Sequence, residues 1–267
     1  MVGGALPRTH GDMMRSRKET PSPDGRGSGS LIRLFIDQPL REGAEVAPSA
    51  GQEHYLRRVM RQEDGSRLIL FDGSGGEYEA TLHRTGLRVA GRIDIERELP
   101  LPVTVIQGAC RSERIEWMLQ KATELGAAAF TIVGCARATL QLPESRRARR
   151  LKRWRRIVIE AAEQSGRTRI PTVAWADRFD TVAAALPPGT LRWLLHPRGT
   201  TPWAEARGAL AHADALALAV GPEGGFTDQE VTLLERHRFH PLSFGPRTMR
   251  SETAAPALLA AVQALLA

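Results

Sequence analysis

The chain is constrained most by apolar segments that follow residue 100 and alternate with stretches of helical periodicity. Residues 103–106, 130–133 and 215–220 are apolar at all positions but Thr104 and Thr131, which is typical of strands buried on both faces. Between them, residues 112–126 and 143–164 repeat apolar side chains at helical spacing. Strands alternating with helices predict an α/β domain built around a mostly parallel sheet.

The same pattern continues to the C-terminus. Further strands are predicted at residues 172–175, 191–195 and 241–244. The segment from Ser251 to Leu266 is almost purely apolar, so we expect a helix buried in the domain or in a subunit interface.

Residues 31–99 carry shorter signals of a β-rich domain. Strands are predicted at 33–37, 67–71 and 77–82, and the glycine-rich turn between the last two predicts a hairpin. A helical interruption is predicted at 52–61. Pro100 and Pro102 stiffen the chain where the pattern changes, so the predicted boundary separates residues 31–99 from residues 100–267.

The first 30 residues are rich in Gly, Pro, Ser and basic residues, so they bury too little apolar surface to offset the entropy of ordering. A flexible basic tail is predicted there. No apolar run reaches the length of a membrane span and no secretory signal is present, so a cytoplasmic location is expected. Cys110 and Cys135 are too few for a disulfide framework and lack a zinc pattern, so no metal is expected.

The positive charge is concentrated in the predicted helix 143–164. Eight basic residues and one acidic residue lie between Glu144 and Arg156, and their net charge of +7 equals that of the whole chain. Two interpretations stay open, a solvated helix face or a surface for the phosphates of a nucleic acid. The apolar stripe that would pack this helix is predicted to comprise Ala148, Leu151, Trp154, Ile157, Val158 and Ala161.

A glycine loop follows the apolar strand 215–220 directly. Gly221-Pro222-Glu223-Gly224-Gly225 precedes Thr227 and Glu230, which have capping-box spacing for a helix start. Ligands of open parallel sheets bind beyond the carboxyl ends of the strands, so a cofactor site is predicted here. The motifs GxxxxGK[ST], GxGxxG and GxSxG are absent, although a tight turn alone also explains the glycines.

A second loop of this kind spans residues 244–255. Arg247 and Arg250 lie just before the apolar C-terminal helix. They are interpreted either as surface ion pairs or as contacts to an anion or substrate, and the adjacent glycine loop favours the second interpretation.

These motifs together resemble the SPOUT methyltransferases, and closely the ribosomal small-subunit methyltransferase E family, which methylates N3 of a uridine in 16S rRNA. The resemblance covers nearly everything after residue 30. It is carried, in order along the chain, by residues 56–61, 70–73, 120–126, 160–167, 196–197, 221–225 and 245–254. It implies a PUA-like β-barrel for RNA, an α/β domain with a C-terminal trefoil knot, S-adenosyl-L-methionine as cofactor, the small ribosomal subunit as partner, and a homodimer.

The resemblance also implies site residues. Implied cofactor contacts are Leu195, His196, Pro197, Gly221, Pro222, Glu223, Gly224, Gly225, Phe244, Gly245, Pro246, Met249 and Thr253. Predicted RNA contacts are Arg57, Arg58, Arg61, Arg146, Arg147, Arg150, Arg153 and Arg167.

For the reaction, we hypothesise that Arg250 or Arg247 stabilises the uridine anion. Glu223 or Glu252 would accept the proton, or else would hold N–H groups of the loops. Two rival functions stay open: a non-catalytic RNA-binding protein, and an enzyme that binds a different nucleotide.

Overall fold

A computed structural model describes residues 31–266, which contain two sheets. The predicted tail at residues 1–30 and the final Ala267 lie outside the described residues. Within the described part, no helix is both long and apolar enough to cross a membrane.

The N-terminal sheet has five strands in the order β1-β3-β4-β5-β2. β1 pairs with β3 in parallel, and the other neighbours are antiparallel. Leu68, Leu70, Leu82 and Leu87 are fully buried between its strands. The strands are β1 (Arg33–Phe35), β2 (Glu45–Val46), β3 (Arg67–Phe71), β4 (Glu77–His83) and β5 (Gly86–Ile93).

A short helix precedes β3, as predicted. Helix α1 (Ala50–His54) begins at Ser49, whose hydroxyl accepts a hydrogen bond from Gln52 N–H, while Ser49 N–H donates one to Oε1 of the Gln52 side chain. The chain continues as a π-helical turn, Tyr55–Val59, in which only Leu56 is buried. The turn therefore leaves its basic side chains at the surface.

The C-terminal sheet has seven strands in the order β10-β12-β9-β11-β6-β7-β8, and every neighbouring pair is parallel. The strands are β6 (Val103–Gly108), β7 (Ala129–Val133), β8 (Thr172–Ala176), β9 (Thr190–Leu195), β10 (Thr201–Pro202), β11 (Ala215–Val220) and β12 (His240–Ser243). The helices are α2 (Ser112–Glu124), α3 (Glu144–Ser165), α4 (Phe179–Ala185), α5 (Trp203–Ala206), α6 (Asp228–Arg236) and α7 (Ser251–Leu266).

Both faces of this sheet are covered by helices. Leu216 and Leu218 of β11 pack in one core with α2, α3 and α7, whereas Ala217 and Ala219 pack in another with α4 and α6. Successive residues of a strand point to opposite faces, which explains why β11 is apolar at every position. The predicted α/β fold with a mostly parallel sheet and a small β-rich region before it is confirmed. The knot that the resemblance implies stays a prediction.

The basic helix α3 ends at Gly166, which adopts a left-handed conformation. Trp154, Val158 and Ala161 of the predicted stripe are buried, but Ala148 is exposed, so its assignment to the packed stripe was wrong. Trp154 is the first buried residue of the helix, and the preceding turns extend beyond the core.

Buried charges and aromatic rings join the two sheets. Glu77 of β4 is 4% exposed and lies between the guanidinium groups of Arg33 and Arg97. Phe35 and Phe71 pack against Ala162 of α3. The N-terminal sheet is therefore held against α3 by apolar packing and by hydrogen bonds from these two guanidinium groups to the carbonyls of Gly166 and Arg167, at the end of α3.

Candidate active site

A cavity of about 510 Å³ lies where the carboxyl ends of β9, β11 and β12 meet the start of α7. These three strands are neighbours in a parallel sheet, so the loops that follow them converge at one edge. The loops line the cavity with Leu195, His196, Pro197, Arg198, Val220, Gly221, Pro222, Glu223, Gly225, Phe226, Leu242, Phe244, Gly245, Pro246, Arg247, Thr248, Met249 and Arg250.

Eleven of the thirteen implied cofactor residues are in this lining, and Gly224 and Thr253 are not. Gly224 turns away from the cavity and packs against Arg137, which donates a hydrogen bond to its carbonyl at 3.0 Å. Thr253 lies in the first turn of α7, where its N–H donates to the carbonyl of Arg250. Both residues therefore contact lining residues without being part of the lining.

Four lining residues come from outside the three loops, and the sequence did not assign them to the cofactor site. Arg114 comes from α2, Arg137 follows β7, and Ser251 and Ala254 begin α7. The sequence predicts the elements that carry them, but it does not show which of their side chains turn toward the loops.

The loop 221–225 is held by the carboxylate of Glu223. Its two oxygens accept hydrogen bonds from Arg111 N–H at 3.1 Å and from Thr139 Oγ1 at 2.9 Å, and Arg114 lies 3.4 Å away. Burial acts to raise the pKa of Glu223, but these hydrogen bonds and the Arg114 charge outweigh it and lower the pKa. The contacts support the loop-holding interpretation of Glu223, because an acid with a lowered pKa is a weak proton acceptor.

The end of β6 packs closely beneath this loop. Gln107 is fully buried, and its Nε2 donates to the carbonyls of Gly108 and Gly221, both at 3.1 Å. A Cβ on Gly108 would lie 2.7 Å from Pro222 Cδ, which is closer than real Cβ contacts. The close approach of β6 to the loop therefore requires glycine at position 108.

The loop 245–250 differs, because its charges are exposed. Within the described residues, the side chains of Arg247 and Arg250 make no hydrogen bond or ion pair with protein groups. No carboxylate in that part of the chain pairs with these arginines, so the interpretation as surface ion pairs is not supported there. Both guanidinium groups are available to a ligand at the mouth of the cavity.

Arg114 connects the two loops electrostatically. Its guanidinium lies 3.4 Å from Glu223 and 3.7 Å from Glu252, which begins α7. All three side chains are largely buried. A buried cation between two carboxylates draws both loops to the same point on α2.

His196 forms the third wall of the cavity. Its Nδ1 accepts a hydrogen bond from Arg198 N–H at 3.2 Å, which leaves the ring proton on Nε2. Burial and then the Arg198 charge lower the pKa of His196 below its ordinary value of 6.5. The ring is therefore neutral at physiological pH.

The two thiols of the chain, Cys110 and Cys135, are held in their protonated form. Burial raises the pKa of Cys110 and of Cys135 to about 12, so both thiols stay protonated. Across residues 31–266, no group of three or more His, Cys, Asp or Glu side chains is placed to hold a metal ion.

Comparison with known proteins agrees with this architecture. A family described as an RNA methyltransferase domain matches residues 97–263, and one described as an RNA methyltransferase PUA domain matches residues 52–87. The ribosomal RNA small subunit methyltransferase E of Synechocystis is 37% identical over 249 residues, which cover 90% of this chain and 81% of that protein. The chain belongs to this methyltransferase family.

The chain also resembles solved structures of methyltransferases. A putative methyltransferase from Legionella pneumophila, in complex with the cofactor SAM, has a TM-score of 0.80 and 32% identity. A methyltransferase E from Neisseria gonorrhoeae, bound to S-adenosyl methionine, has the same TM-score and 29% identity. Each comparison covers 88% of this chain and 98% of the other.

One RNA contact predicted for this methyltransferase is corrected by the structure. Arg167 is 4% exposed, and its guanidinium donates to the carbonyls of Thr123 and Ala127 and pairs with Glu98. Because every one of these partners is protein, Arg167 ties the end of α3 to α2 and to the segment before β6, and it is removed from the RNA-contacting set.

The other predicted RNA contacts fall into two groups. Arg58, Arg61 and Arg146 are exposed, with no ion pair to another described side chain. Charged or carbonyl partners engage the rest, namely Arg57 with Asp64 and the His83 carbonyl, Arg147 with Asp177, and Arg150 and Arg153 with Glu116.

Proposed function

We propose that this protein transfers a methyl group from S-adenosyl-L-methionine to N3 of a uridine in 16S ribosomal RNA. One observation carries the proposal. In a member of an RNA methyltransferase family, a cavity bounded by three sheet-edge loops has at its mouth two arginines without a protein partner among residues 31–266. The relatives that share this fold are named as ribosomal RNA small subunit methyltransferases or were solved with the same cofactor. The choice of atom N3 rests on the family.

The residues present fit this cofactor. The cavity volume of about 510 Å³ lies in the usual range for small-molecule sites, roughly 300–1,000 Å³. Leu195, Phe244 and Met249 offer apolar walls for a purine ring, and the main chain at Gly245 is open to polar atoms of the ligand. When bound, S-adenosyl-L-methionine supplies an electrophilic methyl group on a sulfonium.

The protein's own contribution is to align the uridine and to stabilise its charge. N3 of uridine must lose a proton, and the resulting anion is shared with the neighbouring carbonyl oxygens. The unpaired guanidinium of Arg250, or that of Arg247, supplies the positive charge for this anion. The loops exclude water and hold the reacting atoms in line, which is the larger part of catalysis for such a transfer.

In this proposal Glu223 positions the loop and is not the general base. Both of its oxygens already accept hydrogen bonds. Glu252 is paired with Arg114 and accepts a hydrogen bond from Ser251 Oγ at 3.3 Å, so it too is engaged. Since both carboxylates are engaged, the N3 proton in this proposal leaves to water as the uridine enters the site, before the loops exclude solvent.

Transfer of labelled methyl groups tests the function. Purified protein should label small subunits from cells that lack the gene, and should not label subunits that already carry the modification. Calorimetry should show that S-adenosylhomocysteine, but not ATP, competes with the cofactor. Cofactor binding without labelling of any RNA would leave the non-catalytic alternative, and competition by ATP would favour the other nucleotide-binding enzyme.

We further propose the division of the chain at residues 99 and 100, with an RNA-contacting domain before it and the methyltransferase domain after it. The separate sheets β1–β5 and β6–β12 support this division. A homodimer is also proposed, and light scattering of the purified protein checks its mass.

A further inference from the structure

Helix α3 carries two kinds of basic residue. Five arginines of its first half have carboxylate partners, which lie on other elements for all but one of them: Arg147 with Asp177, Arg150 and Arg153 with Glu116, Arg155 with Asp37, and Arg156 with Glu160 on the same helix. Three residues have no carboxylate partner within the described part of the chain, namely Arg146, Arg149 and Lys152.

Most of the paired arginines anchor the helix. Arg153 binds Glu116 of α2 with two hydrogen bonds of 2.6 Å, and the hydrogen bond from Arg153 is the main cause that lowers the pKa of Glu116. Arg155 makes a similar two-bond contact, 3.0 and 3.1 Å, to Asp37 after β1. These charges are neutralised within the protein, and their geometry ties α3 to α2 and to the segment after β1.

The unpaired residues are arranged along one exposed stripe. Arg146, Arg149 and Lys152 follow one another at three-residue spacing, and all three are exposed. At about 1.5 Å rise per residue, the stripe extends roughly 9 Å along the helix axis. Neighbouring like charges three apart weaken a helix unless a polyanion offsets their repulsion.

We propose that Arg146, Arg149 and Lys152 form the track on which α3 holds the phosphate backbone of the substrate RNA. This inference rests on the proposed function, which makes the substrate an RNA. It reassigns Arg147, Arg150 and Arg153 from RNA contacts to internal anchors, and it adds Arg149 and Lys152, which sequence reasoning did not select. The track residues are identified by their lack of an ion-pair partner among the described residues, and not by the total charge of the helix.

Two triple variants with the same change in charge test the track. The track variant is Arg146→Gln, Arg149→Gln and Lys152→Gln, and the matched anchor variant is Arg147→Gln, Arg150→Gln and Arg153→Gln. Binding of transcribed 16S rRNA is measured by filter binding over a series of salt concentrations. Each lost phosphate contact should reduce the salt slope by about 0.7–0.9.

For the track variant we expect the slope to fall by roughly 2 to 3 and the affinity to fall at least about 10-fold at 0.1 M salt, with an unchanged Tm. For the anchor variant we expect a lower Tm and a slope change below about 1. Equal losses in both variants would show that only net charge matters, and no loss in the track variant would also overturn the proposal.

The wild-type protein separates this inference from the proposed function. If it binds cofactor and labels small subunits while the track variant binds RNA normally, the track alone fails. If the wild type labels no RNA, the proposed function fails whatever the variants do.

Discussion

The two glycine loops of the candidate active site differ in how firmly the protein holds them. The loop 221–225 is fixed by the carboxylate of Glu223, by the amide of Gln107 and by close packing of Gly108 on Pro222. The loop 245–250 presents Arg247 and Arg250 without protein partners in the described residues. Two loops of similar strand–glycine–helix sequence therefore differ in role. The loop 221–225 forms a rigid wall, and the loop 245–250 presents charges that a ligand can reach.

This difference suggests a division of labour. A wall that is already bonded pays little ordering entropy when a ligand binds, which suits the cofactor. Guanidinium groups that lack protein partners are suited to a charge that develops during the reaction. Arg114 lies between Glu223 and Glu252 and holds the two loops close to each other.

The largest expected effect tests the available charges. Arg250→Ala should reduce turnover by roughly 10²- to 10³-fold, as expected for loss of one group that stabilises a developing anion. Cofactor affinity, measured by calorimetry, should stay unchanged. Arg247→Ala is the matched variant and identifies which guanidinium faces the uridine. Normal turnover in both variants would remove the arginines from the mechanism.

A smaller effect is expected when the rigid wall is displaced. In Gly108→Ala, the new Cβ would press on Pro222, and an overpacking cost of about 1–3 kcal/mol, if it falls on the bound loop, corresponds to a roughly 5- to 150-fold loss of cofactor affinity. Gly65→Ala is the control, because its φ of +91° costs strain, no atom lies within 4 Å of the new Cβ, and Gly65 lies outside the cavity lining. Equal losses of affinity in the two variants would contradict a specific role of the Gly108–Pro222 contact in holding the loop.

The smallest effect depends on pH. The pKa of Glu223 is lowered in the folded protein, so its contribution to stability is present above the ordinary value of 4.5 and is lost as pH falls through the folded pKa. Glu223→Gln should lower Tm slightly at pH 7, and the difference from wild type should vanish in acid. A difference in Tm that is constant from pH 7 to pH 3 would show that the charge of Glu223 does not hold the loop.

Local patterns predicted most of the fold. The capping box at Thr227 and Glu230, the end of α3 at Gly166 and strand β11 all depend on residues close together in sequence, and the structure contains each. Ala148 failed because periodicity indicates a face of a helix but not how far the core extends along it. Arg167 failed because its partners, Glu98, Thr123 and Ala127, are at least 40 residues away.

The site could be predicted in part for the same reason. The glycine loops can be recognised in the sequence, because a strand, a glycine turn and a helix start follow one another directly. Arg114 and Arg137 enter the cavity from α2 and from the turn after β7, so only the sheet order brings them to the loops. The roles of Arg250, Arg247 and Glu223 stay predictions that the variants above test.

The most direct test of the central claim is mass spectrometry of nuclease-digested 16S rRNA. RNA from cells with the gene is compared with RNA from cells in which the gene is deleted, then restored as wild type or as Arg250→Ala. We predict that deletion removes one N3-methyluridine and that only the wild-type gene restores it fully. An unchanged set of methylated nucleotides after deletion, or loss of a methyl group from another atom, would contradict the account.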